Sequence, residues 1–544
     1  MYPFTPFLPT RVLVRLGILT LAIFTASTAV RATQSDEHTF DLKSANVADI
    51  QAAVAAGALT YEHLVELYLA RIEAYDDRGP ALKAIIEINP NARAIARALD
   101  EEQLNKGLRS PLHGIPIAVK DTIDVADIPS ASGNLALAGT YPAHDATVVA
   151  KLRAAGAIIF LKTNLDEFNM GAEGLSSLGG QTLNPYDLSR NPGGSSAGSG
   201  VAVNVGFATL ALGTESGASV RSPSSNNALV GIAPSQGLVS RGGVMAISYT
   251  QDRVGAMAKT VHDAALLLQY MQGFDAADLF TWQSLGRLDG VDYLAGLDAG
   301  ALSGARIGVL RDMFRKGEEF GEINRLLEAE ISSLRGPSDE EVNVMPGSGA
   351  MLVDGLSLGL NLIDFFADAR ASVPEIRATF DTYLRARGPD TPVHSLAELV
   401  ATGKYLPALE PLFQRVLELP PPDENRNYHA RLENRTTIRQ LVIDLMDRHH
   451  LDALVYPFKS LAAPPLGTPD RGPRDNPVSS VTGLPAIVVP AGVDSHGLPI
   501  SLEFLGRPFS EATLFALAYA YEQHSHKRVA PTSTPPLPGE RFTY

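Results

Sequence analysis

Two serines and one lysine are the residues of this chain whose types and settings fit nucleophilic chemistry. Ser195 directly follows Gly193-Gly194, and both Ser195 and Ser219 lie in residues 191–222, a stretch rich in glycine and serine at its ends and apolar in its middle. Soluble proteins use glycine in this pattern where the backbone approaches a ligand closely or adopts unusual angles. Lys120 is the third candidate, because a serine hydroxyl is a weak nucleophile and needs a base to take its proton.

Lys120 directly follows residues 115–119, an apolar run that predicts a buried strand. A lysine at the end of such a strand either extends to solvent or lies in a polar pocket, and by itself Lys120 fits a structural role. In a partly buried pocket the pKa of a lysine falls, and the neutral amine can then act as a general base. Histidine is the more usual base, but His113 and His144, which lie close to apolar strands, are more typical of structural or rim residues.

A second serine can complete such a site, because a hydroxyl both donates and accepts hydrogen bonds and can relay a proton. Ser219 follows Ser216-Gly217-Ala218, a turn whose consecutive backbone N–H groups could form an oxyanion hole. Gly217 has no Cβ atom, which lets these N–H groups converge. The pattern therefore indicates a serine nucleophile served by a serine–lysine relay.

Two other serine motifs do not account for these residues. Residues 194–198 match the G-x-S-x-G nucleophile elbow, but that elbow needs a strand directly before it, and residues 186–192 have the character of a loop. The S-x-x-K motif does not occur, since no lysine has a serine three residues earlier. We therefore interpret the elbow match as chance.

The composition excludes several classes of protein. The chain has 544 residues, 45% of them hydrophobic, and can bury a large core. A formal net charge of -15 argues against nucleic acid or anionic lipid as the main partner, because both require basic surface. The sequence contains no cysteine, which excludes disulfides, thiolate metal sites and a catalytic cysteine.

Residues 1–32 have the features of a cleavable signal peptide. Arg11 and Arg15 precede an apolar run at residues 16–29, and Val30-Arg31-Ala32 places a cleavage site near Ala32. An uncleaved membrane anchor is the alternative, but the run is shorter than the ~20 residues that span a bilayer. Because no later segment resembles a membrane span, we predict a soluble protein that is secreted or periplasmic.

Alternation of helical patterns and apolar strands predicts an α/β fold. A helical pattern at residues 146–155 is followed by apolar strands at residues 157–161 and 208–213. Strands that are apolar throughout favour a largely parallel sheet covered by helices on both faces. Later strands are predicted at residues 306–310 and 341–345.

A helical insertion interrupts the predicted sheet. Residues 350–419 are mostly helical in pattern, and a long helix follows. We therefore interpret residues 33–544 as one α/β/α domain. Its core lies at about residues 75–345 and 450–530, and the insertion, at about residues 350–450, is a suitable place for substrate selection.

Three motifs resemble those of the amidase signature family, serine hydrolases with a Ser–cis-Ser–Lys triad. They lie, in the family order, at residues 112–121, 193–199 and 213–221. The resemblance extends from about residue 46 to residue 523 and implies a fold with a large mixed sheet covered by helices on both faces. Ala218 departs from the pattern, which commonly has a glycine there, and an alanine preserves the turn if its φ is negative.

Carried over by position, the resemblance implies a role for each site residue. Ser219 becomes the nucleophile, Ser195 the bridging serine after a cis Gly194–Ser195 peptide bond, and Lys120 the base. The implied oxyanion hole consists of the backbone N–H groups of Ser216, Gly217, Ala218 and Ser219. Ser196 and Arg221 are implied to support the site by hydrogen bonding. No metal or organic cofactor is implied.

Within the family the chain most resembles bacterial peptide amidases, which release ammonia from C-terminally amidated peptides. Residues 179–186 and 249–252 support this comparison. An aryl-acylamidase, an ester hydrolase or a carbamate hydrolase would use the same triad, so the expected partner is a peptide or small-molecule amide or a related compound. The export signal disfavours a component of a cytoplasmic tRNA-dependent amidotransferase, and the intact triad disfavours an inactive amidase-like binding protein.

Overall fold

The described part of the chain is built around one large β-sheet. The computed structural model describes residues 38–335, 349–360, 367–468 and 476–544. The predicted signal peptide, residues 1–32, lies outside these ranges, and the described residues from Thr39 onward belong to one compact unit. Within the same ranges, no helix has the length and apolar character needed to cross a membrane.

The described elements alternate between strands and helices along much of the chain. The strands are β1 Thr39–Asp41, β2 Ile85–Ile88, β3 Pro116–Lys120, β4 Ile158–Thr163, β5 Leu175–Ser176, β6 Gly180–Gln181, β7 Leu210–Glu215, β8 Val230–Ala233, β9 Arg253–Ala258, β10 Arg306–Leu310, β11 Met351–Leu356, β12 Ala453–Pro457, β13 Ala486–Val493, β14 Pro499–Leu505 and β15 Arg541–Thr543. The helices are α1 Val47–Ala55, α2 Tyr61–Ile72, α3 Ala92–Lys106, α4 Thr147–Ala154, α5 Ala197–Val205, α6 Arg221–Asn226, α7 Val261–Met271, α8 Gly321–Ser333, α9 Ser372–Ala386, α10 Leu396–Ala401, α11 Glu410–Glu418, α12 Arg426–Arg448, α13 Val478–Thr482 and α14 Glu511–Ser525.

Eleven of the described strands form the central sheet, in the order β11-β10-β12-β14-β13-β8-β9-β7-β3-β4-β2. β3 is parallel to β4 and β7, and β10 is parallel to β11 and β12. The other neighbouring pairs are antiparallel. The fold class implied by the family resemblance, α/β with a large mixed sheet, is therefore confirmed. The expectation of a largely parallel sheet was wrong, because strands that are buried on both faces are apolar in either orientation.

Helices cover both faces of the sheet. Every residue of β3, β4, β7 and β9 is buried, which requires packing on each side of these strands. One layer includes α5, which contacts β3, β4 and β7. Another includes α7 and α14, which contact each other and the strands β9 and β13. The carboxyl ends of β3 and β7 consequently lie inside the protein, next to the start of α5.

Local side-chain and backbone interactions set several helix ends. Thr60 accepts a hydrogen bond from His63 N–H at the start of α2. Thr260 accepts one from Asp263 N–H at the start of α7 in the same way. Gly107 ends α3 with a φ of 83°, a conformation that favours glycine.

The start of the predicted insertion differs from the expectation. The sequence predicted mostly helix from residue 350, but Met351–Leu356 forms β11, the edge strand beside β10. Its pairing with β10 is a tertiary interaction that no local pattern shows, and Gly355 has a φ of 77°, which does not fit a helix. The strand predicted at residues 341–345 lies outside the described residues. Helices α9 to α12 follow.

Candidate active site

Lys120 is the last residue of β3, and β4 and β7 flank that strand on either side. The Lys120 side chain is fully buried. Its Nζ lies 2.7 Å from Ser195 Oγ and 2.9 Å from Thr214 Oγ1. The amine therefore lies in an internal polar pocket and does not extend to solvent.

Burial lowers the pKa of Lys120 from 10.5 to about 7. The negative charges of Asp166, Asp252 and Glu215 act in the opposite direction, but burial has the larger effect. A lysine with this pKa is neutral in a large share of molecules near neutral pH, and only the neutral amine can accept a proton. The position and the lowered pKa together suit a general base.

Ser195 lies at the amino end of α5, and its side chain is fully buried. The Gly194–Ser195 peptide bond is cis, as the family resemblance implied. The Ser195 carbonyl oxygen accepts a hydrogen bond from Asp166 N–H at 3.1 Å. A Cβ atom at position 194 would lie 2.1 Å from Asp166 Oδ2, so this close packing requires glycine.

Ser219 lies in the turn between β7 and α6, and this nucleophile turn (residues 216–219) lines a large cavity. Ser219 is 7% exposed, whereas Lys120 and Ser195 are fully buried, so Ser219 is the one of the three that a ligand in the cavity can reach. The Ser219 carbonyl oxygen accepts a hydrogen bond from Ser196 N–H at 3.2 Å. Among the described residues, no hydrogen bond joins the hydroxyls of Ser195 and Ser219, and that link of the relay stays a prediction.

The backbone N–H groups of the nucleophile turn have no acceptor in the part of the chain that the structure describes. These are the N–H groups of Ser216, Gly217, Ala218 and Ser219. The next two, of Val220 and Arg221, both donate to Glu215 Oε2, at 3.1 and 3.2 Å. Unpaired buried N–H groups are rare because each costs about 1–3 kcal/mol. The four donors are thus available to a ligand oxygen, and Ala218 does not have the positive φ that would strain an alanine.

A buried network of charged side chains underlies the nucleophile turn. Arg221 donates to the Gly217 carbonyl oxygen at 2.9 Å. It also donates to Glu215 Oε1 at 2.9 Å and to Glu503 Oε2 at 2.6 Å. Arg253 donates to Glu215 Oε1 at 2.8 Å. Two positive and two negative side chains therefore compensate one another and join the turn to β7, β9 and β14, an arrangement that suits the supporting role predicted for Arg221.

Ser196, also predicted to support the site, joins the start of α5 to β7. Its hydroxyl donates to the Thr214 carbonyl oxygen at 3.2 Å and accepts from Thr214 N–H at 3.3 Å. Thr214 is a site residue that the sequence analysis missed, since its hydroxyl contacts Lys120 and donates to Asn169 Oδ1 at 3.2 Å. Its position within the motif at residues 213–221 could have indicated a role in the site. A threonine side chain, however, has no chemical property that singles it out among the other residues of that motif.

Gln251 is a second site residue that the sequence did not identify individually. Its Nε2 donates to the Ser216 carbonyl oxygen at 2.9 Å, and its Oε1 accepts from Ala371 N–H at 2.5 Å. Gln251 therefore joins the nucleophile turn to the segment that begins the helical region. Both partners are distant in the sequence, so no local pattern could reveal the contacts.

Helices α9 and α12 hold the loop that contains Gln251. Glu375 on α9 accepts hydrogen bonds from Ser248 Oγ at 2.5 Å and from Thr250 N–H at 3.1 Å. Arg435 on α12 donates to the Thr250 carbonyl oxygen at 3.0 Å. The helical region is consequently tied to the loop beside the nucleophile turn.

The cavity beside Ser219 has a volume of about 1530 Å³. Apolar side chains from several segments contribute much of its lining: Met170, Ile247, Phe314, Phe320, Leu360, Val373, Ile376, Leu409, Leu412 and Leu419. Small-molecule pockets are typically about 300–1,000 Å³, so this cavity has room for a larger ligand.

In the described ranges, no group of three or more histidine, aspartate or glutamate residues could hold a metal ion.

Comparisons with known proteins agree on one family. The family model described as Amidase matches residues 63–515. A component of the glutamyl-tRNA(Gln) amidotransferase of Chloroflexus aurantiacus is 34% identical over 497 residues, which cover 89% of this chain and 97% of the relative. A probable amidase of Arabidopsis thaliana is 33% identical, with 91% and 92% covered. Among solved structures, the native peptide amidase of Stenotrophomonas maltophilia is 36% identical, with a TM-score of 0.79 and coverage of 89% of this chain and 98% of that one.

Replacement of Arg221 tests the buried charge network. We expect Arg221→Met to lower the free energy of unfolding by about 3–5 kcal/mol, because it leaves Glu215 and Glu503 buried without their common partner. Urea unfolding at neutral pH measures the change. Arg97→Met is the matched control, since Arg97 pairs with Glu62 at the surface, and its effect should be much smaller. Equal effects of the two substitutions would contradict a stabilising role for the network.

Proposed function

The chain belongs to the amidase family and is an amide-hydrolysing enzyme, and on this premise we propose that it releases ammonia from C-terminally amidated peptides. The solved peptide amidase of Stenotrophomonas maltophilia, which is similar over almost its whole length, supports this choice of substrate. The proposal includes the roles of Lys120, Ser195 and Ser219 that the family resemblance implies.

In the proposed reaction, Ser219 attacks the amide carbonyl carbon while its proton passes through Ser195 to neutral Lys120. The C–N bond then breaks, and the proton on Lys120 returns through Ser195 to the leaving nitrogen. Ammonia departs and the acyl group stays on Ser219 as an ester. Water, deprotonated by the same relay, hydrolyses the ester to a carboxylic acid and restores the serine.

The observation that most directly supports this proposal is the 2.7 Å contact between Lys120 Nζ and Ser195 Oγ. The contact lies inside the protein, where burial lowers the pKa of Lys120 to about 7. Ser195 is followed in the chain by Ser196, whose N–H holds the carbonyl oxygen of Ser219. In the proposal, the Ser195 hydroxyl, which can both donate and accept a hydrogen bond, connects the base to the nucleophile.

The nucleophile turn offers a place for the oxyanion that forms during the attack. The N–H groups of residues 216–219 have no acceptor among the described residues, and all four residues line the cavity. Donors that are held in position before the reaction stabilise a developing negative charge more than they stabilise the neutral substrate carbonyl. Together the four N–H groups would supply the electrostatic part of the rate enhancement.

The size and lining of the cavity support a peptide substrate. When the leaving group is ammonia, the acyl part of the substrate occupies nearly all of the space, and about 1530 Å³ exceeds the needs of a simple aliphatic amide. Aryl acylamides, esters and carbamates would use the same triad and are the alternatives. A further alternative is a component of a tRNA amidotransferase, as some of the relatives are named. A net charge of -15, however, gives little attraction for nucleic acid.

We also propose that the enzyme is exported, on the basis of the signal-peptide features of residues 1–32. Expression of the full chain in a bacterial host, followed by N-terminal sequencing of the extracytoplasmic protein, should give a mature chain that begins at or near Thr33. Retention of the intact amino terminus on protein in the cytoplasm would refute export.

The proposed substrate and the proposed triad can be tested in one panel. We expect the purified mature enzyme to release ammonia from peptide amides faster than from simple aliphatic amides, aryl acylamides scored by arylamine, or matching esters. Ser219→Ala and Lys120→Ala should each lower the turnover of peptide amides by at least about 10³-fold, since each removes a member of the proposed relay.

Ser199→Ala is the matched control for this panel. Ser199 is a buried serine on α5 whose hydroxyl contacts Thr163 and the Leu212 carbonyl oxygen, outside the proposed relay. It should keep most of the activity. Turnover of anilides or esters alone would overturn the peptide-amidase proposal, and activity that survives Ser219→Ala would overturn the assignment of the nucleophile.

The lowered pKa of Lys120 makes a prediction about pH. Neutral lysine is the active form, so kcat/KM for an uncharged peptide amide should rise as the pH increases through about 7 and level off above it. Below about pH 6 the rate should fall about tenfold per pH unit as Lys120 becomes protonated. Measurement of initial rates between about pH 5 and 9, at constant ionic strength, checks the direction. A rate that falls as pH rises across this range would exclude neutral Lys120 as the base.

A further inference from the structure

The charged residues that line the cavity beside Ser219 are mostly basic. The described residues that line the cavity include seven with charged side chains, and six of these are basic: Arg311, Arg315, Lys316, Arg370, Arg415 and Arg431. Asp312 is the acidic one. The excess of positive charge contrasts with the formal net charge of -15 for the whole chain. We name Arg315, Lys316, Arg415 and Arg431 the basic wall.

The residues of the basic wall have no acidic partner among the described residues, unlike Arg311. Arg311 pairs with Asp354 at 2.5 Å and also with Glu328, so its charge is compensated. Burial alone lowers the pKa of Arg315, as expected for a guanidinium without a counter-ion. Lys316 and Arg415 are exposed and make no side-chain hydrogen bond with a described residue. Their charges are therefore available to a ligand.

One residue of the basic wall, Arg431, is connected to the nucleophile turn through a series of hydrogen bonds. Arg431 donates to the carbonyl oxygens of Ala367 at 2.7 Å and Arg370 at 3.0 Å. The next residue, Ala371, donates to Gln251, which donates to the Ser216 carbonyl oxygen at 2.9 Å. Because Ser219, the apolar side chains and the basic wall all line the same cavity, a substrate bound at Ser219 and extended into the cavity would approach both kinds of surface.

We propose that the preferred substrates are peptide amides with an acidic side chain, Asp or Glu, among the residues that precede the amidated residue; this inference rests on the proposed function. The carboxylate would lie at the basic wall while the terminal amide lies at Ser219. Uncompensated cations beside apolar surface attract an anion more strongly than they would in open water. The same field should disfavour a lysine in the corresponding position of the substrate.

A set of acetylated tripeptide amides tests the proposal. The members differ only in having Glu, Gln or Lys at one of the two positions before the amidated residue. We expect kcat/KM for the best Glu peptide to exceed that of its Gln analogue by about five- to tenfold, and the Lys analogue to be the poorest. An increase to about 0.5 M NaCl should shrink the Glu/Gln ratio, because salt screens exposed charges.

The double variant Lys316→Gln/Arg415→Gln assigns the selectivity to the basic wall. Both residues are exposed, and the Glu/Gln ratio of kcat/KM should fall to within about twofold of one. The double variant Arg93→Gln/Lys106→Gln is the matched control. It removes one arginine and one lysine from exposed positions on α3, outside the cavity, and should leave the ratio unchanged.

The Glu/Gln ratio of kcat/KM distinguishes a loss of selectivity from a loss of structure, and the activity itself shows whether the proposed function holds. A damaged fold would lower kcat/KM for both peptides in proportion and leave their ratio unchanged. If neutral and acidic peptide amides are hydrolysed equally well, the basic wall does not select substrate, although peptide-amidase activity stands. If no peptide amide is hydrolysed, the proposed function itself fails. A Glu/Gln ratio that persists in Lys316→Gln/Arg415→Gln would also overturn the inference.

Discussion

The burial of the Lys120 amine is the physical constraint on which the candidate site depends. A lysine ordinarily keeps its charge in water, and its removal from water between β4 and β7 is the main reason that its pKa falls to about 7. The amine still needs polar partners, and Ser195 and Thr214 supply them. The central sheet, the start of α5 and the end of β7 must therefore all be in place to hold the lysine in the position that the proposed base requires. In the proposed mechanism, the stability lost in burying this side chain supports catalysis.

A second set of buried charged side chains differs from Lys120, because its members form ion pairs with one another. Around the nucleophile turn, Arg221 pairs with both Glu215 and Glu503, and Arg253 pairs with Glu215. Glu215 also accepts the N–H groups of residues 220 and 221. This network satisfies the groups on one side of the turn and leaves the N–H groups of residues 216–219 without a partner among the described residues. The same network thus joins the turn to three strands, while the four N–H groups keep no partner among the described residues.

The helical region after β11 has two functions in this arrangement. Glu375 and Arg435 hold the loop that contains Gln251, and Gln251 contacts the nucleophile turn directly. The same region supplies Arg415 and Arg431 to the cavity. Hydrogen bonds therefore connect the helical region, which would select the substrate, to the nucleophile turn, which would carry out the reaction.

The sequence alone determined the family and the fold class, through three motifs that resemble those of the amidase signature family, and it singled out Lys120, Ser195 and Ser219 as candidate site residues. It could not determine the orientation of the strands, since a strand buried on both faces is apolar whether its neighbours are parallel or antiparallel. Edge strand β11, the contact of Thr214 with Lys120 and the bridge through Gln251 to Ala371 were decided by the tertiary structure. The basic wall also depends on the tertiary structure. Each of these features joins residues that are far apart in the chain, and only the folded protein brings their charges and hydrogen-bonding groups together.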